Sequence, residues 1–389
     1  MTYEKKRILF NSTTNIMGGP LKNSALFIKH ILIKGKGDIK WFFAVSLPVF
    51  ELLKSWGVEN DRIFVFHKSP SKDKKSRKHL IAIIEQNNIN AVYTMAGPAY
   101  VNFNIKHILG ISNPYITHSD IRSFLVFGDL FSILKRFLLT LYQMYYARMA
   151  DHWIFQTEES KKNFCKRLFI SEKKTYVIPN AFDRIFIDDY KNWLQKGKEV
   201  IKPNKNFVIF CPGADYYHKA YVTIPSIAKE LKEIADYKFN FILTLKKSGK
   251  VWKKVKKRIK KNKVCDVVKN IGSYSYEEVY GLYEKAEIVF VPSILETFSA
   301  TYLEAFASGK PLVVSNKKFS REICKDAAVY VNPYKSKKAA LLIDKLIKDV
   351  NLQDNLKKKG YERLKSFPSQ EERANRIIKL LKKVLDSET

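Results

Sequence analysis

Cysteine is scarce and scattered in this chain. The four cysteines stand far apart and form no C-x-x-C pair; they are Cys165, Cys211, Cys265 and Cys324. Structural zinc sites and disulfide frameworks need cysteines at close or regular spacing, so both are disfavoured. We therefore expect a chain that works in the reducing cytoplasm.

Long apolar runs are also missing. A membrane-spanning helix needs roughly 18 or more consecutive apolar residues, and the nearest approach, 124–150, is interrupted by Asp129 and three basic residues. The first residues, MTYEKKRILF, contain only a short apolar run at 8–10, which predicts a β-strand and not a secretory signal. We expect neither a transmembrane helix nor a signal peptide.

Acidic side chains are greatly outnumbered. The chain has 70 Lys and Arg residues against 38 Asp and Glu, which gives a formal net charge of +32 at pH 7. This charge indicates an anionic partner, such as a membrane surface, a nucleic acid or a phosphorylated substrate, and carries no information about the fold. The 389 residues, 46% of them hydrophobic, fit a globular chain of two domains.

Segments of strand and helix character alternate along the sequence; they include predicted strands at Ile63–Phe66 and Ala91–Thr94 and a predicted helix over 277–285. This order predicts an α/β protein with parallel sheets covered by helices on both faces. The series pauses at Pro179-Asn180 and begins again with the apolar run 206–211. We therefore predict two Rossmann-like, doubly wound domains, 1–179 and 180–366. A ligand is expected at the carboxyl ends of the strands, in a central cleft that both domains face.

The segment 294–315, ILETFSATYLEAFASGKPLVVS, holds the densest motif. Glu296 and Glu304 are separated by seven residues, and Gly309 and Pro311 end the predicted helix 298–308 before a short strand. A helix N-terminus binds anions, because its first N–H groups lack partners and its dipole favours negative charge. The two carboxylates then suit nearby hydroxyls, and phosphate beside hydroxyls describes a sugar nucleotide. A plain amphipathic helix with two incidental glutamates is the competing interpretation.

This segment resembles the E-x7-E signature of the family-4 retaining glycosyltransferases, which have the GT-B fold. The resemblance implies that Glu296 contacts the donor sugar and that Glu304 binds the ribose hydroxyls. It also implies that the N–H groups around Thr297, Phe298 and Ser299 hold the diphosphate. The stretch TYVIPNAFD (175–183) resembles the segment between the domains of this family, and a final helix, 367–389, is expected to cross back to the N-terminal domain.

The segment CPGADYYHKAY (211–221) follows a predicted buried strand. A lysine at a strand's carboxyl end can neutralise a diphosphate, and Lys219 matches the lysine of the family pattern. The pattern's arginine falls on Ala214 or its neighbours, and its following glycine is Ala220. Either His218 or a lysine of 245–249 supplies the second positive charge, or donor binding is weakened. One solvated lysine among many is the competing interpretation of Lys219.

Two candidates lie in the first half. Gly18 and Gly19 follow the first predicted strand; they are either a plain tight turn or, as the resemblance implies, the glycine-rich loop at the reaction centre. His118 is predicted to end a strand at 115–117, in the sequence THSD. The resemblance implies an active-site histidine there, whereas a lone histidine is more often structural.

Two further features concern the donor. Ile271 and Gly272 resemble the loop that packs on the nucleotide base. No D-x-D motif occurs in the sequence, and glycosyltransferases of the other main fold use that motif to hold a metal on the diphosphate. We therefore expect no metal or other cofactor, with the charge neutralised by Lys219 and helix N–H groups.

Basic residues are concentrated in the segment Lys246–Lys263, which has 11 of them and no acid. Its apolar residues recur every four positions, so it predicts a surface helix, with adhesion to anionic lipid as an added function. The segment 124–150 mixes aromatic, aliphatic and basic residues as interfacial helices do, although a core helix fits it equally well. The run 68–78 is a third basic surface.

The leading hypothesis is a cytoplasmic, membrane-peripheral, metal-independent hexosyltransferase (EC 2.4). It would move a UDP- or GDP-linked sugar, with retention, to a lipid-linked saccharide or another precursor of a surface glycan such as lipopolysaccharide. One alternative is a protein of the same fold that binds nucleotide but is inactive or needs a partner. A sugar-nucleotide epimerase lacks an identifiable acid/base set. A nucleic-acid-binding protein is disfavoured, because no recognised module accompanies the charge.

Overall fold

The structure, a computed structural model, describes residues 6–34, 37–182, 206–275 and 278–387. It divides into two compact units. The first consists of Met1–Ser119, Asp129–Asn180 and Gln370–Thr389, and the second of Asp120–Gly128 and Ala181–Ser369. The sequence divides the chain at 179 and 366, whereas these units divide it at 180 and 369 and assign 120–128 to the second unit.

The first unit is built on a parallel sheet. Within the described residues it has seven strands in the order β3-β2-β1-β4-β5-β6-β7. The strands are β1 (Lys6–Ser12), β2 (Ile39–Ser46), β3 (Ile63–Phe66), β4 (Ala91–Thr94), β5 (Lys106–Gly110), β6 (His152–Phe155) and β7 (Thr175–Val177). The order runs outward from β1 in both directions, which is the doubly wound arrangement.

Helices cover both faces of this sheet. They are α1 (Gly18–Lys34), α2 (Leu47–Ser55), α3 (Lys74–Gln86), α4 (Pro114–Thr117), α6 (Leu130–Arg148) and α7 (Glu158–Leu168); the short helix α5 (Ile121–Leu125), which stands between α4 and α6 in the sequence, belongs to the second unit. Residues of β1 alternate between two buried clusters: Phe10 packs on Phe27 of α1 with ring centroids 4.9 Å apart, while Leu9 joins the cluster around Leu80 of α3. A sheet covered on both faces explains the continuous apolar run of its first strand.

The second unit repeats this arrangement. Within the described residues its sheet has six parallel strands in the order β10-β9-β8-β11-β12-β13. The strands are β8 (Asn206–Cys211), β9 (Lys238–Leu243), β10 (Val268–Asn270), β11 (Ile288–Val291), β12 (Leu312–Ser315) and β13 (Val329–Val331). The helices are α8 (Ile224–Ile234), α9 (Lys250–Asn262), α10 (Val279–Glu284), α11 (Ala300–Ala307), α12 (Lys318–Cys324), α13 (Ser336–Lys348) and α14 (Val350–Leu364). The prediction of two doubly wound α/β units is confirmed.

The last helix, α15 (Gln370–Asp386), belongs to the first unit. Ile377 and Leu381 are fully buried in the same cluster as Phe10 and Phe43. Lys34 of α1 also pairs with Glu371, at 2.5 Å. The helix therefore completes one face of the first sheet.

Two predicted elements differ from the structure. The helix predicted over 124–150 is interrupted at 126–129, because Asp129 accepts a hydrogen bond from Ser132 N and caps the new helix α6. The helix predicted over 277–285 is observed as α10, and Glu277 lies outside the described residues. None of the helices in the described part of the chain is long and apolar enough to cross a membrane.

Candidate active site

Two loops of the second unit meet at one edge of its sheet. The loop 212–220 follows β8 and the loop 292–299 follows β11, and these two strands are hydrogen-bonded neighbours. Because parallel strands end at the same edge, both loops lie at the carboxyl ends of the sheet. The N–H of Ile294 donates to the carbonyl oxygen of His218 at 2.8 Å and ties the loops together.

Lys219 and Glu296 face each other across these loops. Lys219 Nζ lies 2.5 Å from Glu296 Oε1, and the two side chains are only 13% and 10% exposed. A pair so poorly exposed is held in a defined geometry, and removing one partner leaves the other charge uncompensated. The structure thus brings together the lysine that the sequence assigns to the diphosphate and the glutamate that it assigns to the donor sugar.

The helix that follows, α11, begins at Ala300 and not at Phe298 as the sequence predicts. Thr297, Phe298 and Ser299 form the buried end of the loop. The Ser299 side chain occupies the N-cap position but makes no capping hydrogen bond. The Phe298 ring packs on Phe367 with centroids 5.6 Å apart, so only the backbone of Phe298 is available to a ligand.

Glu304 is held by a tyrosine that the sequence analysis missed. Tyr283, on α10, donates from its hydroxyl to Glu304 Oε2 at 2.8 Å. Burial raises the pKa of Tyr283 well above its ordinary value, and the charge of Glu304 raises it further, so this hydroxyl stays protonated and donates. An aromatic residue at helical spacing looks like an ordinary core residue, and nothing in the sequence signals the contact.

Two buried hydroxyls lie in the same region. Ser293 Oγ and the Tyr302 hydroxyl have no hydrogen-bond partner within the part of the chain that the structure describes. Burial raises the pKa of Tyr302 well above its ordinary value, so its hydroxyl stays protonated. Buried polar groups are normally paired, so these two hydroxyls keep an unused capacity to donate. Sequence reasoning did not single out Tyr302.

The predicted base-binding loop has the backbone that close approach requires. Ile271 is 44% exposed, and Gly272 has a φ of +94°. Asn270 fixes the loop by bonding both the N–H and the carbonyl of Leu245, at 2.8 and 2.9 Å. A Cβ on Gly272 would lie 3.4 Å from Lys247 Cε. Of the residues 245–249 proposed to supply a second positive charge, Lys247 is therefore the one beside this loop.

The departures from the family pattern have structural consequences. Asp215, next to Ala214, accepts hydrogen bonds from the N–H groups of Val251 and Trp252 at 3.2 and 3.0 Å. It therefore caps the basic helix α9 and is a local acid where the pattern has an arginine. Ala220 has a φ of 52°, in the left-handed region. That conformation explains why the pattern has glycine at this position.

Gly18 and Gly19 begin α1, in the first unit, directly after the loop that follows β1. Both are exposed, and a Cβ on either would meet no atom within 4 Å. Gly18 has a φ of +65°, which favours glycine. The pair is thus an open backbone turn at the carboxyl end of a central strand, and its assigned function stays a prediction.

The prediction of a strand that ends at His118 is wrong. Residues 114–117 form the short helix α4, because Asn113 accepts a hydrogen bond from Tyr115 N and Pro114 occupies the first turn. His118 ends this helix, with its Nδ1 2.7 Å from Thr117 Oγ1. The strand that precedes this segment is β5, which was not predicted from the sequence. His118 therefore lies in the segment that follows a strand and not at the last residue of a strand.

Comparisons with known proteins agree with this architecture. Residues 192–363 match the family model Glycosyl transferases group 1. The O-antigen chain mannosyltransferase RfbU of Salmonella typhimurium strain LT2 is 27% identical over 225 residues, 57% of this chain. The match spans only 58% of that relative's length. An uncharacterized glycosyltransferase of Methanocaldococcus jannaschii, MJ1607, is 24% identical over 276 residues, 68% of each chain.

Solved structures of low identity share the fold over nearly the whole chain. A glycosyltransferase from Rickettsia africae ESF-5 has a TM-score of 0.72 at 16% identity and covers 98% of this chain and 99% of its own. Sucrose-phosphate synthase from Thermosynechococcus elongatus has a TM-score of 0.73 at 14% identity, covering 99% and 100%. Anabaena HepE, solved with UDP and glucose, has a TM-score of 0.70 at 16% identity, covering 97% and 99%. The chain therefore has the GT-B fold, and the family match and the mannosyltransferase relative support a glycosyltransferase.

Proposed function

We propose that this protein is a retaining glycosyltransferase of family 4 that uses a nucleotide diphosphate sugar. The observation that carries the proposal is the poorly exposed Lys219–Glu296 pair, which lies at the carboxyl ends of adjacent strands, ahead of the helix that bears Glu304. A cation, two carboxylates and a helix N-terminus are the groups needed to hold a diphosphate between a sugar and a ribose. The spacing of Glu296 and Glu304 fits the E-x7-E signature.

Each side chain has a distinct task in this proposal. Lys219 and the N–H groups of 297–299 bind the diphosphate, and Glu296 keeps the lysine in position while contacting the sugar. Glu304, oriented by Tyr283, accepts hydrogen bonds from the ribose hydroxyls. Lys219 and the N–H groups can neutralise the charge of the diphosphate without a divalent metal, so we propose that the enzyme works without one.

In the proposed reaction, negative charge develops on the leaving diphosphate and positive charge on the sugar. The bond between the anomeric carbon and the diphosphate oxygen breaks, and the acceptor oxygen forms a new bond to that carbon from the same face. The acceptor proton passes to an oxygen of the leaving diphosphate. Lys219 stabilises the growing negative charge, and the oxocarbenium-like sugar is balanced by the diphosphate. No protein nucleophile is required.

The substrate classes are inferred from relatives. The mannosyltransferase relative is named for the O-antigen chain, and HepE was solved with UDP-glucose. We propose a UDP- or GDP-linked hexose as donor and a lipid-linked saccharide or another polysaccharide precursor as acceptor. Because the lipid tail of such an acceptor lies in a membrane, the reaction would take place at the cytoplasmic face of that membrane. The basic helix α9 adds attraction to that surface.

Sugar release from a donor tests the chemistry without a known acceptor. UDP-glucose, UDP-galactose and GDP-mannose are incubated with the protein and EDTA, and proton NMR follows nucleotide release and the anomer first formed. Release of one sugar with its configuration retained supports the proposal. Inversion contradicts the retaining mechanism, and a requirement for metal contradicts the metal-free site. Glu296→Ala should abolish sugar release, whereas the control Glu233→Ala, on the exposed surface of α8, should release sugar like the wild type.

A second candidate is a nucleotide-binding protein of the same fold without transfer activity. The acid Asp215, which caps α9 beside the position of the family's arginine, favours this candidate. It predicts tight nucleotide binding and no sugar release with any donor. Recovery of release when Ala214 is replaced by arginine would point to the lost cation as the cause.

A further inference from the structure

One face of the helix α6 is apolar and exposed. Its members recur at alternating spacings of three and four residues, so they share one face. They are Phe131, Leu134, Leu138, Leu141 and Tyr145, which are 75%, 53%, 55%, 47% and 60% exposed. We call these five residues the apolar face of α6. Large hydrophobic side chains that stand together in this way mark an interaction site.

The opposite side of the helix fixes its rotation. Thr140 and Ala147 are buried, and the guanidinium of Arg136 lies 3.6 Å from the ring centroid of Tyr115. Gln143 donates to the Tyr100 hydroxyl at 3.1 Å. These contacts hold α6 on the first unit, so the apolar face is a fixed outward surface of that unit.

A basic segment lies against the same helix. Arg77, in the first turn of α3, donates to the hydroxyl of Tyr142 at 2.8 Å and to that of Tyr146 at 3.1 Å. The surrounding segment 68–78 contributes five exposed lysines: Lys68, Lys72, Lys74, Lys75 and Lys78. Its one acid, Asp73, accepts hydrogen bonds from the N–H and hydroxyl of Ser76. Positive charge therefore borders the apolar face.

We propose that the apolar face of α6 and the basic segment 68–78 together dock the first unit on an anionic lipid bilayer. Aromatic and aliphatic side chains enter the boundary between headgroups and acyl chains, while lysines at the edge contact anionic headgroups. A second copy of the chain is a poorer occupant, because pairing would oppose like charges on a protein of net charge +32. This inference rests on the proposed function only in giving docking a purpose, which is access to a lipid-linked acceptor.

Vesicle flotation tests the docking surface without any enzymatic readout. We expect the wild-type protein to float with vesicles of equal phosphatidylcholine and phosphatidylglycerol, to bind pure phosphatidylcholine weakly, and to be released by high salt. Leu134→Glu with Leu138→Glu is expected to weaken binding about tenfold or more, and Lys74→Glu with Lys75→Glu to weaken it at low salt. All four side chains are exposed, so these variants should melt like the wild type.

A matched control uses Leu341→Glu with Leu342→Glu, two exposed leucines on α13 in the second unit. This control should leave flotation unchanged. The inference is overturned if the wild type does not float, or if the α6 variants float normally while Lys256→Glu with Lys257→Glu on α9 does not. It is also overturned if light scattering shows a dimer that the α6 variants dissociate.

Nucleotide binding separates this inference from the proposed function. The α6 variants should keep the thermal stabilisation that a nucleotide gives the wild type, because the candidate donor residues Lys219, Glu296 and Glu304 are in the second unit. Loss of flotation with intact stabilisation supports the docking surface. Normal flotation in a protein that no nucleotide stabilises contradicts the proposed function and leaves the docking surface standing.

Discussion

Tyr283 donates a hydrogen bond of 2.8 Å to Glu304, and this contact links a buried core helix to a candidate ligand carboxylate. The tyrosine is fully buried, so its hydroxyl has one fixed direction. Glu304 is thereby held in one orientation without a ligand. Orientation of this kind lowers the entropy lost on binding.

Removing the Tyr283 hydroxyl should weaken donor binding more than it slows chemistry. Tyr283→Phe leaves the ring in place and frees Glu304 to turn, so we expect KM for the donor to rise several-fold with kcat nearly unchanged. Loss of a hydrogen bond to a charged group should also cost about 1.5–3 kcal/mol of unfolding free energy. Steady-state kinetics and denaturant unfolding measure the two effects.

Tyr237 offers a matched control for this substitution. Its hydroxyl donates to Asp344 Oδ1 at 2.9 Å, so Tyr237→Phe removes the same chemical contact elsewhere in the second unit. We expect a similar loss of stability and an unchanged KM. Equal KM values for both variants and the wild type would show that Tyr283 is structural only.

The Lys219–Glu296 pair should matter for both stability and catalysis. Lys219→Ala leaves a buried carboxylate without its partner, which should cost roughly 3–5 kcal/mol of unfolding free energy. Loss of a charge that stabilises the leaving group should lower kcat about 10²–10³-fold. Lys229→Ala, from the exposed pair with Glu233, should change the unfolding free energy by less than about 1 kcal/mol. A Lys219→Ala variant that turns over normally would contradict the assigned role.

Ala220 should be more stable as glycine. Its φ of 52° lies in the left-handed region, which costs a residue with a Cβ about 1–2 kcal/mol. Because glycine also loses more entropy on folding, we expect Ala220→Gly to raise the unfolding free energy by about 0.5–1 kcal/mol. Lys256→Gly, at an exposed position inside α9, should lower it by about 1 kcal/mol. Calorimetric melting of both variants checks the opposite signs.

His107 should make the first unit sensitive to acid. Burial lowers the pKa of His107 from its ordinary 6.5 to about 3, so folding requires the neutral ring. Its pKa is lower in the folded than in the unfolded state, so the stability cost is absent above pH 6.5 and grows as the pH falls from 6.5 toward about 3. The cost should reach roughly 2 kcal/mol at about pH 5.

Substitution of His107 isolates this effect from other titrating groups. We expect His107→Gln to flatten the fall in unfolding free energy between neutral pH and about pH 5, whatever its effect at neutral pH. His67→Gln, at an exposed histidine, should leave the wild-type slope unchanged. Parallel curves for the wild type and His107→Gln would contradict a neutral buried ring.

The periodic pattern of the sequence predicts most of the fold. Strands such as Ile63–Phe66 and Ala91–Thr94 are correct to the residue, because apolar β-branched and aromatic runs bounded by polar turns have few alternatives. β5, with the sequence KHILG, was missed because Lys106 and His107 mask its short apolar run. Because β5 was not predicted, a strand was wrongly predicted at 115–117. At that place Asn113 caps a short helix and Pro114 occupies its first turn.

The candidate site was predictable only in part. Glu296, Glu304 and Lys219 carry a motif that can be identified along the chain. Contacts made by folding, such as Tyr283 with Glu304 or Lys247 beside Gly272, join residues that lie 21 and 25 positions apart. Sequence periodicity gives the face of a helix or strand, but these contacts depend on how neighbouring strands and helices pack.

The most direct test of the account is thermal stabilisation by UDP, GDP, ADP and CMP and their sugar conjugates, each with EDTA, in the wild type and Glu304→Ala. We predict a selective rise in Tm for one base in the wild type, insensitive to EDTA and absent in Glu304→Ala. No rise with any nucleotide, together with tight salt-sensitive binding to DNA or RNA, would contradict the donor site and favour a charge-driven nucleic-acid partner.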